Sequence, residues 1–452
     1  MTRGSRLALA ITLILTIGAG YGASLAQSHF DLAVAAFERG DYDATIAGLE
    51  PAIRAGRPSG RVYTLLGWAL LKKGDLARAR AEFERSLRLE PEDPNAFYAH
   101  EGLGWIAYKS GDYSGALAAF ARSLKLSPGY PNSLDGLGWS HLAKGDLGRA
   151  EASFEQSLKR ASGNLEARRG LGFVAYHRGQ WQQAIKRFQA VLRQDRRDNV
   201  SRSGLGWTYY YAGDYQRARP IFLELTRLEP TWADPWAGLG WTAARQGQTA
   251  EAQQSFRTAM GKSAGYVATP ELRKLVAERP GWVDLWRDLG WALYQQRAFA
   301  AAEGEFRSLV VVHPNDADGL RGLGYSLYML RRHREAIPVL RRSLELGPTL
   351  APVREQVEIP GSARLHPILS DAGSTLAWSH FHAGDFAVAL QHFRVVTERH
   401  PDWADPWSGL GWTLLKLGNR VEAEGAFGRS LQAEPSYPDA LQGLQALRKA
   451  AQ

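Results

Sequence analysis

The most conspicuous chemical groups in this chain are aromatic: 15 tryptophans stand against 3 methionines in 452 residues, and there is no cysteine. Without cysteine there are no disulfides, no thiolate nucleophile, no cysteine-type zinc site and no acylated lipoprotein cysteine. His380, His382 and His392 form the densest histidine group. Packed or surface imidazoles are expected there rather than a metal site. Phosphate-binding glycine loops, HExxH and GxSxG are absent from the sequence. No catalytic constellation stands out, so a protein that is not an enzyme and carries no cofactor is expected.

The aromatics recur at fixed spacing. Gly-Leu-Gly-Trp ends at Trp105, Trp139, Trp207, Trp241 and Trp412, and near-copies end at Trp68, Phe173, Trp291, Tyr325 and Trp378. Three residues further, on the same helix face, come Tyr108, Tyr176 and Tyr210. Seven residues before the later aromatics stand Asp234, Asp284 and Asp405, with Asp318 and Asp371 at the equivalent places. Three readings of this face stay open. The rings could glue each repeat to the next, with the glycine one turn earlier making room for them. Alternatively, partly exposed rings could form a ladder for a glycan, with sugar C–H bonds on the ring faces and aspartate accepting from hydroxyls. The same face could also seat an apolar peptide or partner helix. Glue would not explain Val34, the non-aromatic counterpart near the N-terminus. The aspartates have a purely local explanation as well: Asp234-Pro235 and Asp405-Pro406 read as helix N-caps followed by proline at the first helical position.

The elements that must position these residues come from a repeat. Gly104, Gly138, Gly172, Gly206 and Gly240 are spaced 34 residues apart, and each is followed by a turn, then Ala, then Phe, then often Pro. This pattern resembles the tetratricopeptide repeat. With the second glycine at position 8, Trp236, Trp286 and Trp407 fall at position 4. Ala79, Ala150, Ala184, Ala252, Ala302, Ala336, Ala389 and Ala423 fall at position 20, and Phe83, Phe154, Phe188, Phe256, Phe306, Phe393 and Phe427 at position 24. The resemblance implies an all-α solenoid, a right-handed superhelix of antiparallel helix pairs, with about 11 repeats and a C-terminal capping helix. It also places positions 2, 5, 9 and 12 on a concave groove. Position 9 departs from the family, which commonly has asparagine there to clamp a peptide; all ten clear repeats here have an aromatic. A chaperone-type carboxylate clamp is therefore not expected.

The N-terminus reads as an address. A basic leader with Arg3 and Arg6 precedes the apolar stretch from Leu7 to Ile17, and Ser24-Leu25-Ala26 offers a cleavage site before Gln27. The alternative is an uncleaved membrane anchor over Leu7 to Ala26. The expected organisation is a signal peptide at 1–26, seven repeats at 27–260, an insert at 261–280, two repeats at 281–348, an insert at 349–373, and two repeats with the capping helix at 374–452. A short helix is expected over Glu271 to Glu278, and loop in the second insert. The net charge of +9 includes Arg3 and Arg6 and is too modest and scattered to imply nucleic acid. The sequence thus predicts an exported, periplasmic scaffold with no membrane span after cleavage. Its partner would be a protein in an envelope assembly or an extended polymer, peptide or polysaccharide, lying in the groove.

Overall fold

Glycine and aspartate set the rhythm of the chain. At position 15 a glycine takes a left-handed backbone, as Gly145 does at φ 79°, and the next amide returns to the carbonyl at position 11, Asp146 to His141 at 2.9 Å. This closes the first helix of a repeat. The residue at position 16 then caps the second helix: Asp75, Asp112 and Asp146 each accept from the backbone amide three residues on.

The computed structural model describes residues 24–54, 58–91, 93–263, 269–347, 353–358 and 365–449. Among these, eleven helix pairs follow one another. They are α1 (Ser24–Glu38) with α2 (Tyr42–Arg54), α3 (Gly60–Lys73) with α4 (Leu76–Leu89), and α5 (Ala96–Lys109) with α6 (Tyr113–Leu126). Next come α7 (Pro131–Ala143) with α8 (Leu147–Arg160), α9 (Leu165–His177) with α10 (Trp181–Gln194), α11 (Asn199–Tyr211) with α12 (Tyr215–Leu228), and α13 (Ala233–Arg245) with α14 (Thr249–Lys262). A short α15 (Pro270–Ala277) precedes α16 (Val283–Gln295) with α17 (Phe299–Val312) and α18 (Ala317–Met329) with α19 (His333–Leu346). Strands β1 (Val353–Glu358) and β2 (Leu365–Ser370) lead to α20 (Ala372–Ala383) with α21 (Phe386–Arg399), α22 (Ala404–Lys416) with α23 (Arg420–Ala433), and a last helix α24 (Pro438–Lys449). The chain divides into two compact units, 1–221 and 222–452.

The core is built on the phenylalanine at position 24, fully buried at Phe83, Phe120, Phe154, Phe188, Phe256, Phe306, Phe393 and Phe427. Each of these rings lies against glycine backbone. A Cβ added to Gly138, at position 8 of the same repeat, would sit 2.5 Å from the Phe154 ring, and one added to Gly170, at position 6 of the next, would sit 2.3 Å from it. This corrects the expected role of the position-6 glycine. It admits chiefly the phenylalanine of the preceding repeat; at Gly409 an added Cβ would also meet the position-9 ring of Trp378, at 3.0 Å. Serine at position 27 ties the second helix back to the start of the first: Ser123 Oγ donates to the Phe97 carbonyl at 2.9 Å and Ser430 Oγ to that of Ala404 at 2.8 Å.

The two inserts differ from each other. The first contains the expected short helix, capped by Thr269, with Leu272 and Val276 fully buried beside Trp282 and Leu285. The second, expected as loop, forms an antiparallel hairpin with Val353 opposite Ser370 and Glu358 opposite Leu365. Pro367 is accommodated because a strand of a two-stranded sheet is always an edge. Positions 264–268, 348–352 and 359–364 of these segments lie outside the described residues.

The expected signal segment lies outside the described residues up to position 23, and α1 runs through the expected cleavage point after Ala26. Among the described residues no helix is long and apolar enough to cross a membrane.

The glycines give a paired test. Alanine is the better helix former by about 1 kcal/mol. Gly425, inside α23, has open space around it, so Gly425→Ala should raise the thermal midpoint. Gly170→Ala meets the buried Phe154 ring, and overpacking should outweigh propensity, with a net loss of about 1–3 kcal/mol in denaturant unfolding.

Candidate functional site

The position-9 aromatics stand on the first helix of each repeat, and at least eight of the ten set one edge against the phenylalanine of their own second helix. Trp139 meets Phe154 at a centroid distance of 5.3 Å and 74°, and Trp291, Trp378 and Trp241 meet theirs at 5.2 Å. Two of the ten rings, Trp68 and Tyr325, are buried; the other eight are half-buried.

At four positions the indole N–H is given to the acid at position 2 of the following repeat or capping helix. Trp139 Nε1 donates to Glu166 at 3.0 Å, Trp291 to Asp318 at 3.2 Å, Trp378 to Asp405 at 2.9 Å, and Trp412 to Asp439 at 3.0 Å. In the Trp68 repeat the next position 2 is Tyr98, and the Trp68 indole nitrogen is buried without a partner. One ring face is covered as well in several repeats. The Arg169 guanidinium lies over Trp139 at 5.9 Å and that of Arg321 over Trp291 at 5.2 Å, while His382 stacks on Trp378 at 5.7 Å. Arg169 and Arg321 also pair with the same acids, Glu166 and Asp318, so ring, acid and arginine form one inter-repeat cluster.

The position-2 aspartates are not N-caps at 234 and 405. Helices α13 and α22 begin one residue earlier, at Ala233 and Ala404. The carboxylate in the first turn suits the positive helix end and is free to face a neighbouring helix. Asp405 is buried and accepts from Trp378, from Tyr437 Oη at 3.0 Å and from Ser374 Oγ at 3.2 Å. Burial pushes its carboxyl up to about 6, with those three donors holding it lower than burial alone would. Asp284, by contrast, is exposed and paired with Arg287 at 2.7 Å. At position 12, Tyr108 and Tyr176 are half-buried and Tyr210 is buried, each packed against the aromatic at position 17: Tyr113, Trp181 and Tyr215.

The histidines separate into two stacks. His380 packs on His392 at 5.4 Å, with its Nδ1 3.3 Å from Asp385, whereas His382 packs on His333 at 4.7 Å. Among the described residues no three metal-ligating side chains converge.

Sequence reasoning missed a buried charged column at position 5: Glu101, Asp135 and Arg169, spaced 34 apart. The signal was available, since each stands three residues before the second glycine. Arg169 pairs with Glu166 and with Asp198 at 3.1 Å, while its buried Nε has no hydrogen-bond partner among the described residues. Asp135 accepts from Asn164 at 2.7 Å through one oxygen only, and both oxygens of Glu101 lack a hydrogen-bond partner of normal geometry. Burial pushes Glu101 up to about 8, with Trp105, Lys72 and Asn132 opposing and Asp135 adding to the rise. Burial likewise lifts Asp135 to about 7.

A carboxyl whose folded value is raised favours the protonated form in the folded state. Its contribution to stability is therefore lost as pH rises from the ordinary carboxylate range, about 4, to about 8 for Glu101. Glu101→Gln should flatten that decline, matching the parent protein's midpoint near pH 4 and exceeding it at pH 8.5 in thermal unfolding. A parent midpoint that rises across this interval would contradict the assignment.

Comparison with known families matches the tetratricopeptide repeat model over residues 30–94, 64–131, 204–266, 268–351 and 374–440, and a second tetratricopeptide repeat model over 141–203. Among curated proteins no match to this chain is found. Among solved structures, a tetratricopeptide repeat protein from Parabacteroides merdae is 18% identical, covering 55% of this chain and 98% of its own at a TM-score of 0.45. Yeast Tom70 is 13% identical, covering 95% and 96% at 0.31, and Pseudomonas aeruginosa pilF is 16% identical, covering 46% and 94% at 0.39.

Proposed function

This chain belongs to the tetratricopeptide-repeat family, and we propose that it is an exported, non-enzymatic scaffold that holds a protein partner in an envelope assembly. Repeats of this family point to protein interaction as the general role. The observation that favours a protein partner over a glycan is where the polar groups of the aromatic face are used. Indole N–H groups and position-2 carboxylates that would meet sugar hydroxyls already satisfy one another at Trp139, Trp291, Trp378 and Trp412. Arginine or histidine covers a face of three of those rings.

What is left for a partner in residues 1–221 is an aromatic patch around Tyr211, which is 53% exposed. Trp181 stacks on it at 5.9 Å and 17°, Trp207 lies 6.1 Å away, and Tyr176 meets it edge-on at 5.7 Å. A rigid patch with hydroxyl edges suits an apolar side chain with a polar neighbour on an extended peptide. The glycan reading keeps one supporting observation, the open side of that same ring. Export rests on the basic leader, the apolar stretch and Ser24-Leu25-Ala26.

Incorporation of a photo-crosslinking phenylalanine analogue at position 211 in the native host tests both parts. The expected result is a discrete protein adduct on a chain whose N-terminus is Gln27 by mass spectrometry. Adducts that carry only carbohydrate, together with glycan-array binding lost in Tyr211→Ala, would transfer the role to a polysaccharide. An intact Met1 in the membrane fraction would replace export by anchoring.

A further inference from the structure

At position 15, nine glycines carry the left-handed backbone that ends a first helix, and two arginines adopt the same conformation, Arg297 and Arg331, each at φ 60°. Glycine takes this conformation freely, whereas any side chain there weakens the fold. Arg297 has a local use for its side chain, which lies over the Phe299 ring at 5.9 Å.

Arg331 is exposed, and among the described residues it holds no ion pair. Glu335, the acid nearest in sequence, is engaged by Arg332, and Glu303 of the preceding repeat by Arg307 and Arg332. The charge of Arg331 bears instead on two imidazoles. Burial first, and then Arg331, holds His333 below its ordinary value; burial, His333 and Arg331 together bring His382 down to about 4. The two rings stack on each other at 4.7 Å, His382 continues the stack onto Trp378 at 5.7 Å, and Tyr328 flanks both histidines. Nδ1 of His333 is buried and has no hydrogen-bond partner. The Arg331 amide donates to the Tyr328 carbonyl at 2.9 Å, and the Tyr328 ring touches both His333 and His382, so this strained arginine without an ion pair sits in the turn next to the imidazole stack and its aromatic floor.

We propose that Arg331, His333 and His382 form a docking site for a carboxylate side chain of an acidic peptide segment in a partner protein. The guanidinium fork matches a carboxylate bidentately, and the neutral imidazoles can donate to it. One formal positive charge balances one carboxylate, which favours a monoanion over the dianionic phosphate of a phosphopeptide. The strain at Arg331 then serves to place this charge where glycine would leave none. The inference rests on the scaffold reading and names the chemistry of one contact the partner makes.

The test uses the full mature protein and a short fluorescein-labelled peptide of alternating glutamate and aspartate, with its glutamine–asparagine counterpart as blank. Fluorescence anisotropy at low salt should show binding of the acidic peptide alone. Arg331→Gly should weaken it about tenfold or more, as for loss of one charge-assisted pair, while raising the melting temperature. Arg297→Gly should raise the melting temperature and leave affinity unchanged, and Arg331→Lys should retain part of the binding. In proton NMR, the ring resonance of His382 should titrate at higher pH when peptide is bound. Equal binding by the parent and Arg331→Gly, no binding above the blank, or an unmoved His382 titration would overturn the site. If the peptide fails while position 211 still crosslinks a protein, this site falls and the scaffold reading stands.

Discussion

The close approach of helix backbones over a buried phenylalanine is the constraint on which the rest of this molecule depends. Most position-24 rings lie between a glycine of their own repeat and a glycine of the next, at separations no Cβ tolerates, such as 2.4 Å at Gly136 and 2.3 Å at Gly322. A mid-helix glycine costs about 1 kcal/mol in helix propensity, so two per repeat must be offset by dispersion along a ring in contact with backbone on both sides. The exceptions follow the same physics. Position 6 is not glycine at Leu65, Asp288 and Thr375. The preceding position-24 residue is Leu49 in the first case and Leu340 in the third, with no ring to admit. In the second it is Phe256, but α15 intervenes and contributes Leu272 and Val276 to the same core.

A second interaction is layered on that packing. Once the first helices are brought together, the position-9 indole of one repeat reaches the first turn of the next, where a carboxylate is favoured by the helix end. The bond from Trp to acid always spans 27 residues, so it recurs with the repeat. It gives the indole N–H a partner and turns Glu166, Asp318, Asp405 and Asp439 toward the preceding repeat, whereas Asp284, outside this pattern, is exposed. The ring is part glue, through its edge and its N–H, and part surface, because eight of the ten rings remain half-buried rather than enclosed.

Periodicity made the helices, the turns and the short helix of the first insert legible, because glycine at 15, phenylalanine at 24 and proline at 270 act locally. Relations between repeats were harder. The position-6 glycine was assigned to the wrong ring, because spacing along one helix cannot reveal which neighbour's side chain enters the gap. Asp234 and Asp405 looked like caps, since an Asp-Pro pair has the same sequence at a cap and one residue inside the helix; the neighbouring tryptophan is what distinguishes them. The strands at 353–358 and 365–370 are not legible, because Pro352, Pro360-Gly361 and Pro367 read as loop. The column of Glu101, Asp135 and Arg169 changes charge from repeat to repeat, so a search for identical residues passes over it.

Burying polar groups between repeats decides where recognition can take place. A face whose indole N–H groups, carboxylates and arginines satisfy one another has little left with which to choose a ligand, since specificity requires donors and acceptors that are unpaired until the ligand arrives. The turn at positions 12 to 17 is free of that duty. It contains the exposed Tyr211 in one unit, and Arg331 with its histidines in the other. Variation is cheapest there, because a turn residue can change without disturbing the phenylalanine wedge. Arginine replaces glycine at 331 at the cost of local strain alone, whereas no such replacement is open at Gly138 or Gly170. The repeat thus separates its two tasks physically: glycine and phenylalanine hold the helices together, and the turn beside them is where chemical individuality can accumulate.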